Sequence, residues 1–306
     1  MDKNFPVMRP SALPLLVLLF SSSLWGLSWW PLKQFVEVGL AGPMLSMMVY
    51  GPVGLALAYF LWRERVAWRS QTGLLIALAV VGGWANTSFV NALMQGDVVR
   101  VMFLFYLSPV WSVLGGWLFL GERVNARRKL AVTVAIAGLW LVLGGARAFQ
   151  ASLSVADVLA LTAGLAFAGN NVIARAGQDI PIRSKTAAVF MGCGVLSFFW
   201  VWGEGATVPD VSLAQSLALF AYGFGWLLLA TATWQFGVTH MESGRAGVVM
   251  LAELLVAVLT ATWWGGEHLS TLEWVGGALI AFAALIEAAD TGGQPPHMPI
   301  LKKERP

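Results

Sequence analysis

The chain has 306 residues, 58% of them hydrophobic and 11% charged, with 33 Gly and 16 Trp. Soluble domains carry about 25% charged and 45–50% apolar residues, so the composition excludes an ordinary soluble protein and points to a membrane-spanning one. The net charge of +3 does not indicate nucleic acid, because the basic residues lie in short connections between apolar runs, where they report topology.

Crossing about 30 Å of hydrocarbon takes about 20 helical residues, and ten runs qualify. The first, 12–31, follows Lys3 and Arg9. Its apolar character continues past Ser21-Ser22-Ser23 to Trp30, which predicts an uncleaved helix and not a signal peptide. The second run is 41–62 and the third 72–94. On the third, Trp84, Ser88, Asn91 and Gln95 recur at spacings of 4, 3 and 4, which places them on one helical face. Amides facing lipid are costly, so this stripe meets either neighbouring protein, as interhelical bonds, or a water-filled cavity.

The fourth run, 99–120, contains Ser108 and puts Tyr106, Pro109 and Ser112 on a shared side. The fifth is 129–146, and the sixth, 155–174, offers Asn170-Asn171. The seventh, 186–203, holds Cys193; as the one cysteine of the chain it excludes an internal disulfide and reads as a small core residue. The eighth, 213–238, carries Thr231 and Gln235 on one face beside Trp234, the ninth, 243–264, has Glu253 at its centre, and the tenth is 272–289. Trp62, Trp68, Trp200, Trp202, Trp263 and Trp264 lie near span ends and read as interfacial belts. Trp84 and Trp234 are deeper and suit an aromatic cavity wall, which can also take a cationic amine.

Sixteen of the nineteen Lys and Arg fall in the two tails and the connections after spans 2, 4, 6 and 8; the opposite connections hold only Lys33, Arg100 and Arg147. Positive charge stays inside, so both termini are predicted to be cytoplasmic.

Asp97-Val98-Val99-Arg100 recurs 145 residues later as Glu242-Ser243-Gly244-Arg245, and Gly121-Glu122 recurs at the same offset as Gly266-Glu267. Trp25-Gly26 corresponds loosely to Ala168-Gly169. The chain therefore divides into a tail, 1–11, a unit 12–146, a second unit 155–290 and a tail 291–306. Each unit has an odd number of spans, so the second enters the membrane from the opposite side, a recurring plan of secondary transporters. In both acid-x-x-Arg units the carboxylate sits at a helix start and is placed to pair with Arg at i+3.

Leu107-Ser108-Pro109-Val110 followed by Leu120-Gly121-Glu122-Arg123-Val124 resembles the hallmark of the drug/metabolite transporter superfamily, in its EamA-type repeat. The second copy keeps Gly266-Glu267 but has Leu254 in place of the usual proline. Overall the chain is most similar to aromatic and neutral amino-acid exporters of the YddG type. That resemblance implies an all-α integral membrane protein of the bacterial inner membrane. Its ten helices would form two inverted five-helix repeats around a central cavity, and its cargo would be amino acids.

The inventory of reactive residues agrees with transport. There is no His-Glu-x-x-His pair, no Gly-rich loop ending in Gly-Lys-Ser/Thr and no recognisable Ser/His/Asp order. No enzymatic step, metal or cofactor is expected; the expected partners are amino acids and lipid, with oligomeric state open. A same-fold exporter of another metabolite or a drug cation is the alternative, ahead of a membrane-embedded enzyme. Candidate cavity residues are Trp84, Ser88, Asn91, Gln95, Tyr106, Ser108, Asn170, Asn171, Trp234, Gln235 and Glu253.

Glu253 is the sharpest of these. Counted from Ser243 it lies ten residues into its span, about 15 Å at 1.5 Å per residue and half of the roughly 30 Å hydrocarbon core. Carboxylates at such depth are costly and mark pathways. Its counterpart at the 145-residue offset, Ser108, is polar too, and Thr260 and Trp264 continue its face at i+7 and i+11. Three roles are open: binding the cargo's amine, carrying a coupling proton, or a structural hydrogen bond to a neighbouring helix.

Overall fold

The computed structural model describes residues 13–108, 110, 111, 114, 126–145, 153–239 and 243–289. Among these residues there are helices and no strand, as expected where no water is present to satisfy backbone groups. In chain order, α1 is Leu13–Gly26 with a second piece Trp29–Glu37, and α2 is Gly42–Arg63. Helix α3 joins Thr72–Ala77, a π-helical turn Leu78–Gly82 and Gly83–Gln95. Then come α4 Val98–Phe105, α5 Ala126–Val142, α6 Val155–Ala176 and α7 Ile182–Glu204. Helix α8 joins Leu213–Phe220, a π-helical turn Ala221–Leu227 and Leu228–Thr239; α9 is Ser243–Trp263 and α10 Thr271–Ala289.

Six helical segments are long and apolar enough to cross a bilayer: Leu13–Glu37, Gly42–Arg63, Arg65–Gln95, Val155–Ala174, Ile182–Glu204 and Leu213–Trp234. Lys129–Val142, Leu251–Trp263 and Thr271–Ile286 are shorter apolar helices.

Local chemistry sets the boundaries. Helix α2 opens with Pro43 in its first turn, where no N–H is needed. Ser154 with Asp157 and Ser212 with Gln215 form capping boxes at the starts of α6 and α8. Gly205, with φ 63°, ends α7 in the left-handed conformation that glycine takes without cost. Helix α1 is interrupted at Leu27-Ser28, just ahead of Pro31, which has no N–H to give the Leu27 carbonyl.

The broadest contacts join α2 to α7, α3 to α6, α5 to α10 and α3 to α7; others join α1 to α8, α1 to α9, α4 to α6, α4 to α9 and, more sparsely, α2 to α8. Exchanging each helix for the one five places along maps this set onto itself. The π-helical turns obey the same exchange, since 78–82 in α3 and 221–227 in α8 occupy corresponding helices. The α5–α10 crossing is reciprocal at atomic detail: a Cβ on Gly138 would lie 2.6 Å from the Gly276 carbonyl oxygen, and one on Gly276 would lie 2.6 Å from that of Gly138. Small residues let the two backbones meet, the usual device where lipid offers no hydrophobic drive to association.

Candidate functional site

Helix α4 loses its regular form after Phe105, at a turn of Tyr106 and Leu107. The cause lies in the sequence: Pro109 has no N–H, so the Phe105 carbonyl receives no i→i−4 bond from that position. Helix α6 comes close at this point, and a Cβ on Gly164 would lie 2.6 Å from the Phe105 carbonyl oxygen. The equivalent approach of α1 to α9 uses Gly26, whose Cβ would lie 2.6 Å from the Glu253 carbonyl oxygen.

The turn in α4 brings the Tyr106 side chain into a hydrogen bond with the Glu253 carboxyl. Glu253, eleventh of the 21 residues of α9, is only 5% exposed, and Tyr106 is likewise buried. Among the described residues the one ion pair joins Arg100 to Asp157, so no described cation neutralises Glu253. Aromatic rings extend from the pair. Tyr106 meets Phe105 edge-on at 5.7 Å between centroids, Phe105 lies 4.5 Å from Phe89 and 5.3 Å from Phe167, and Phe167 meets Trp234 at 6.4 Å. A carboxyl at the middle of α9, a phenol and a run of aromatic faces from α3, α4, α6 and α8 therefore stand together. Such a set can hold an ammonium group at one end and an apolar side chain along the other.

The remaining candidates lie elsewhere. Ser88 donates to the Trp84 carbonyl of its own helix (2.6 Å), and buried Asn91 donates to the Thr87 carbonyl (2.7 Å) and to Ser46 Oγ of α2 (3.1 Å). Gln95 is exposed, Ser108 is half-buried and Asn171 is exposed. The Asn170 amide oxygen lies against Gly82 of the π-helical turn, where a Cβ would come within 2.5 Å of it. Trp84 stacks on Trp200 at 5.9 Å, so Trp200 is a packing partner within the bundle, while Trp62, Trp202, Trp263 and Trp264 are exposed. The side chains of Gln235 and of Arg245, and residues Pro109, Ser112 and Glu122, lie outside the described residues. A separate cavity of about 310 Å³ lies between α2 and α8, lined by Met48, Pro52, Leu219, Phe220 and Phe224 among others.

The expected pairing of Asp97 with Arg100 is corrected. Arg100 binds Asp157 of α6 through two parallel bonds, Nε to Oδ1 at 2.7 Å and Nη2 to Oδ2 at 3.0 Å. Asp97 occupies the N-cap of α4 without a side-chain cap bond. The cap comes from Glu267, in the connection between α9 and α10: the Val98 and Val99 amides donate to its two oxygens at 2.7 and 3.0 Å. Sequence proximity favoured i+3, but a planar guanidinium gains more from a bidentate carboxylate, and Asp157, itself tied to Ser154, supplies one.

A model of the EamA-like transporter family matches residues 12–144 and again 154–287. The chain is 26% identical over 223 residues to an uncharacterized transporter of Archaeoglobus fulgidus, covering 69% of this chain and 75% of that protein. It is 28% identical over 265 residues to a probable terminal-alkyne amino-acid exporter of Streptantibioticus cattleyicolor, covering 83% and 86%. A solved crystal structure with 19% identity superposes with a TM-score of 0.59 over 91% of this chain and 98% of the other, which speaks for the fold alone. With two matched repeats that span most of its length and a helical multi-pass architecture, the chain belongs to the EamA-like transporter family.

Proposed function

We propose that the protein exports amino acids, aromatic and other neutral ones, by alternating access, with the cargo's ammonium group held by Glu253 and Tyr106. The observation that carries this is the buried Glu253 carboxyl, hydrogen bonded to Tyr106 at one end of an aromatic run. A carboxylate that pairs with no cation among the described residues suits a cationic amine, and aromatic faces suit both that cation and an apolar side chain. The likeness to a probable amino-acid exporter points the same way.

The reading takes the fold as ten spans in two inverted repeats in a bacterial inner membrane, with both termini cytoplasmic. The five-place exchange of helix contacts supports the inversion, and the basic asymmetry supports the orientation. Lys33 and Arg100, two of the three basic residues on the outer side, serve as structural partners for Gly96 and Asp157. A cysteine probe at Ser270 should react with an impermeant reagent from outside and one at Ala126 only from inside; the reverse pattern overturns the topology.

Reconstituted protein in vesicles tests the activity. It should move labelled phenylalanine, and Glu253→Gln should raise the apparent KM. A coupling proton on Glu253 would appear instead as transport that ignores a proton gradient, and unchanged transport would leave the carboxyl a structural bond to Tyr106.

A further inference from the structure

The junction between α3 and α4 is held by charge from two other parts of the chain. Lys33, on the second piece of α1, donates to the Gly96 carbonyl at 2.9 Å and the Met94 carbonyl at 3.5 Å, at the C-terminal end of α3. Glu267 caps the N-terminal end of α4 through the Val98 and Val99 amides. An ammonium at a helix C-terminus and a carboxylate at a helix N-terminus each complement the helix dipole and satisfy backbone groups with no partner inside their helix.

The position of Glu267 gives this clamp a further meaning. It follows the end of α9 at Trp263 by four residues, and Val98 begins α4. Those two helices carry Glu253 and Tyr106, so the Glu267 bonds bridge the end of the seam that leads to the site. Beside this seam end, Trp29 Nε1 of the second piece of α1 donates to Thr260 Oγ1 of α9 at 3.0 Å, a bond between α1 and α9. Helices α4 and α9 belong to different repeats, and access to the site from this end requires them to part.

We propose that Glu267 is the latch of this gate: its two bonds to the α4 N-terminus hold the end closed, and their release opens the seam. The proposal rests on alternating access by this fold and not on the identity of the cargo, and its test needs no cargo. Met102, one turn into α4 and 1% exposed, supplies a reporter. In a Cys193→Ser background, Met102→Cys should react slowly with an impermeant maleimide applied to this face of the protein in vesicles. Adding Glu267→Gln should speed labelling roughly tenfold, the shift expected when charge-assisted bonds holding one state are lost. Glu267→Asp, which keeps the charge on a shorter stem, should fall between and serves if the Gln variant does not fold. Equal labelling rates with and without the carboxylate would overturn the latch.

Cross-linking gives a second measure. A short bifunctional thiol reagent joining Asp97→Cys to His268→Cys should stop transport, with cleavage restoring it. Failure of the pair to cross-link, or undiminished transport by the cross-linked protein, would contradict the proposal.

Discussion

Helices α4 and α9 occupy corresponding places in the two repeats, yet they differ where it matters. At the 145-residue offset Ser108 stands opposite Glu253 and Pro109 opposite Leu254. Helix α4 turns after Phe105, while α9 runs unbroken from Ser243 to Trp263, because Leu254 keeps the N–H that Pro109 lacks. The turned helix presents a phenol and the straight one a carboxyl, and the two meet. By contrast α5 and α10 cross through Gly138 and Gly276 with matching closeness from both sides. The repeat thus retains its symmetry in the packing and departs from it at the candidate site, which is how duplicated halves acquire a site that neither has alone.

This contrast can be broken most forcefully at Leu254, which is buried. Leu254→Pro should impose on α9 the interruption that α4 has, with a loss of about 3 kcal/mol or more in unfolding free energy and loss of transport. A variant with wild-type melting behaviour and transport would show that the unbroken α9 is not needed. Next in size, Gly138→Val and Gly276→Val should each destabilise by about 1–3 kcal/mol through overpacking, and by similar amounts. Thermal unfolding in detergent measures both, and a large inequality would mean that the crossing is not reciprocal.

Tyr106→Phe removes one hydroxyl from the site and leaves the aromatic packing. Transport per folded molecule should fall roughly tenfold through apparent KM, the scale of one hydrogen bond to a charged group, while folded yield is kept. A drop in yield with unchanged KM would make Tyr106 a packing residue. Smallest is Asn91→Leu. Its bond to Ser46 is interhelical, so the expected cost is about 0.6 kcal/mol, with transport per folded molecule unchanged. A selective transport defect would return the α3 stripe to the cavity.

Much of this was legible from residue order because the bilayer constrains it so strongly. The apolar runs and the position of Glu253 at the middle of its helix follow from residue order and rise per residue, whereas the first run, read as one helix over 12–31, is interrupted at Leu27-Ser28 and continues to Glu37. What escaped involves partners distant in sequence. Spacings of 4, 3 and 4 put Trp84, Ser88 and Asn91 on one face but do not say that Ser46 and Trp200 lie opposite. Arg100 pairs 57 residues away with Asp157, and Glu267 caps amides 168 and 169 residues away. The π-helical turns of α3 and α8 have no residue signature, although Gly82, against the Asn170 amide, marks a place where a side chain would not fit.

The central claim, that Glu253 recognises the cargo's ammonium group, is met most directly by equilibrium binding. Purified protein should be titrated with phenylalanine and with 3-phenylpropionate, which keeps the ring and carboxylate and lacks the amine. Wild-type protein should prefer phenylalanine by roughly tenfold to a hundredfold, the range of one charge-assisted hydrogen-bonded contact, and Glu253→Gln should abolish that preference while retaining affinity for the ring. A Glu253→Gln protein that discriminates between the two ligands as well as the wild type does would contradict the account.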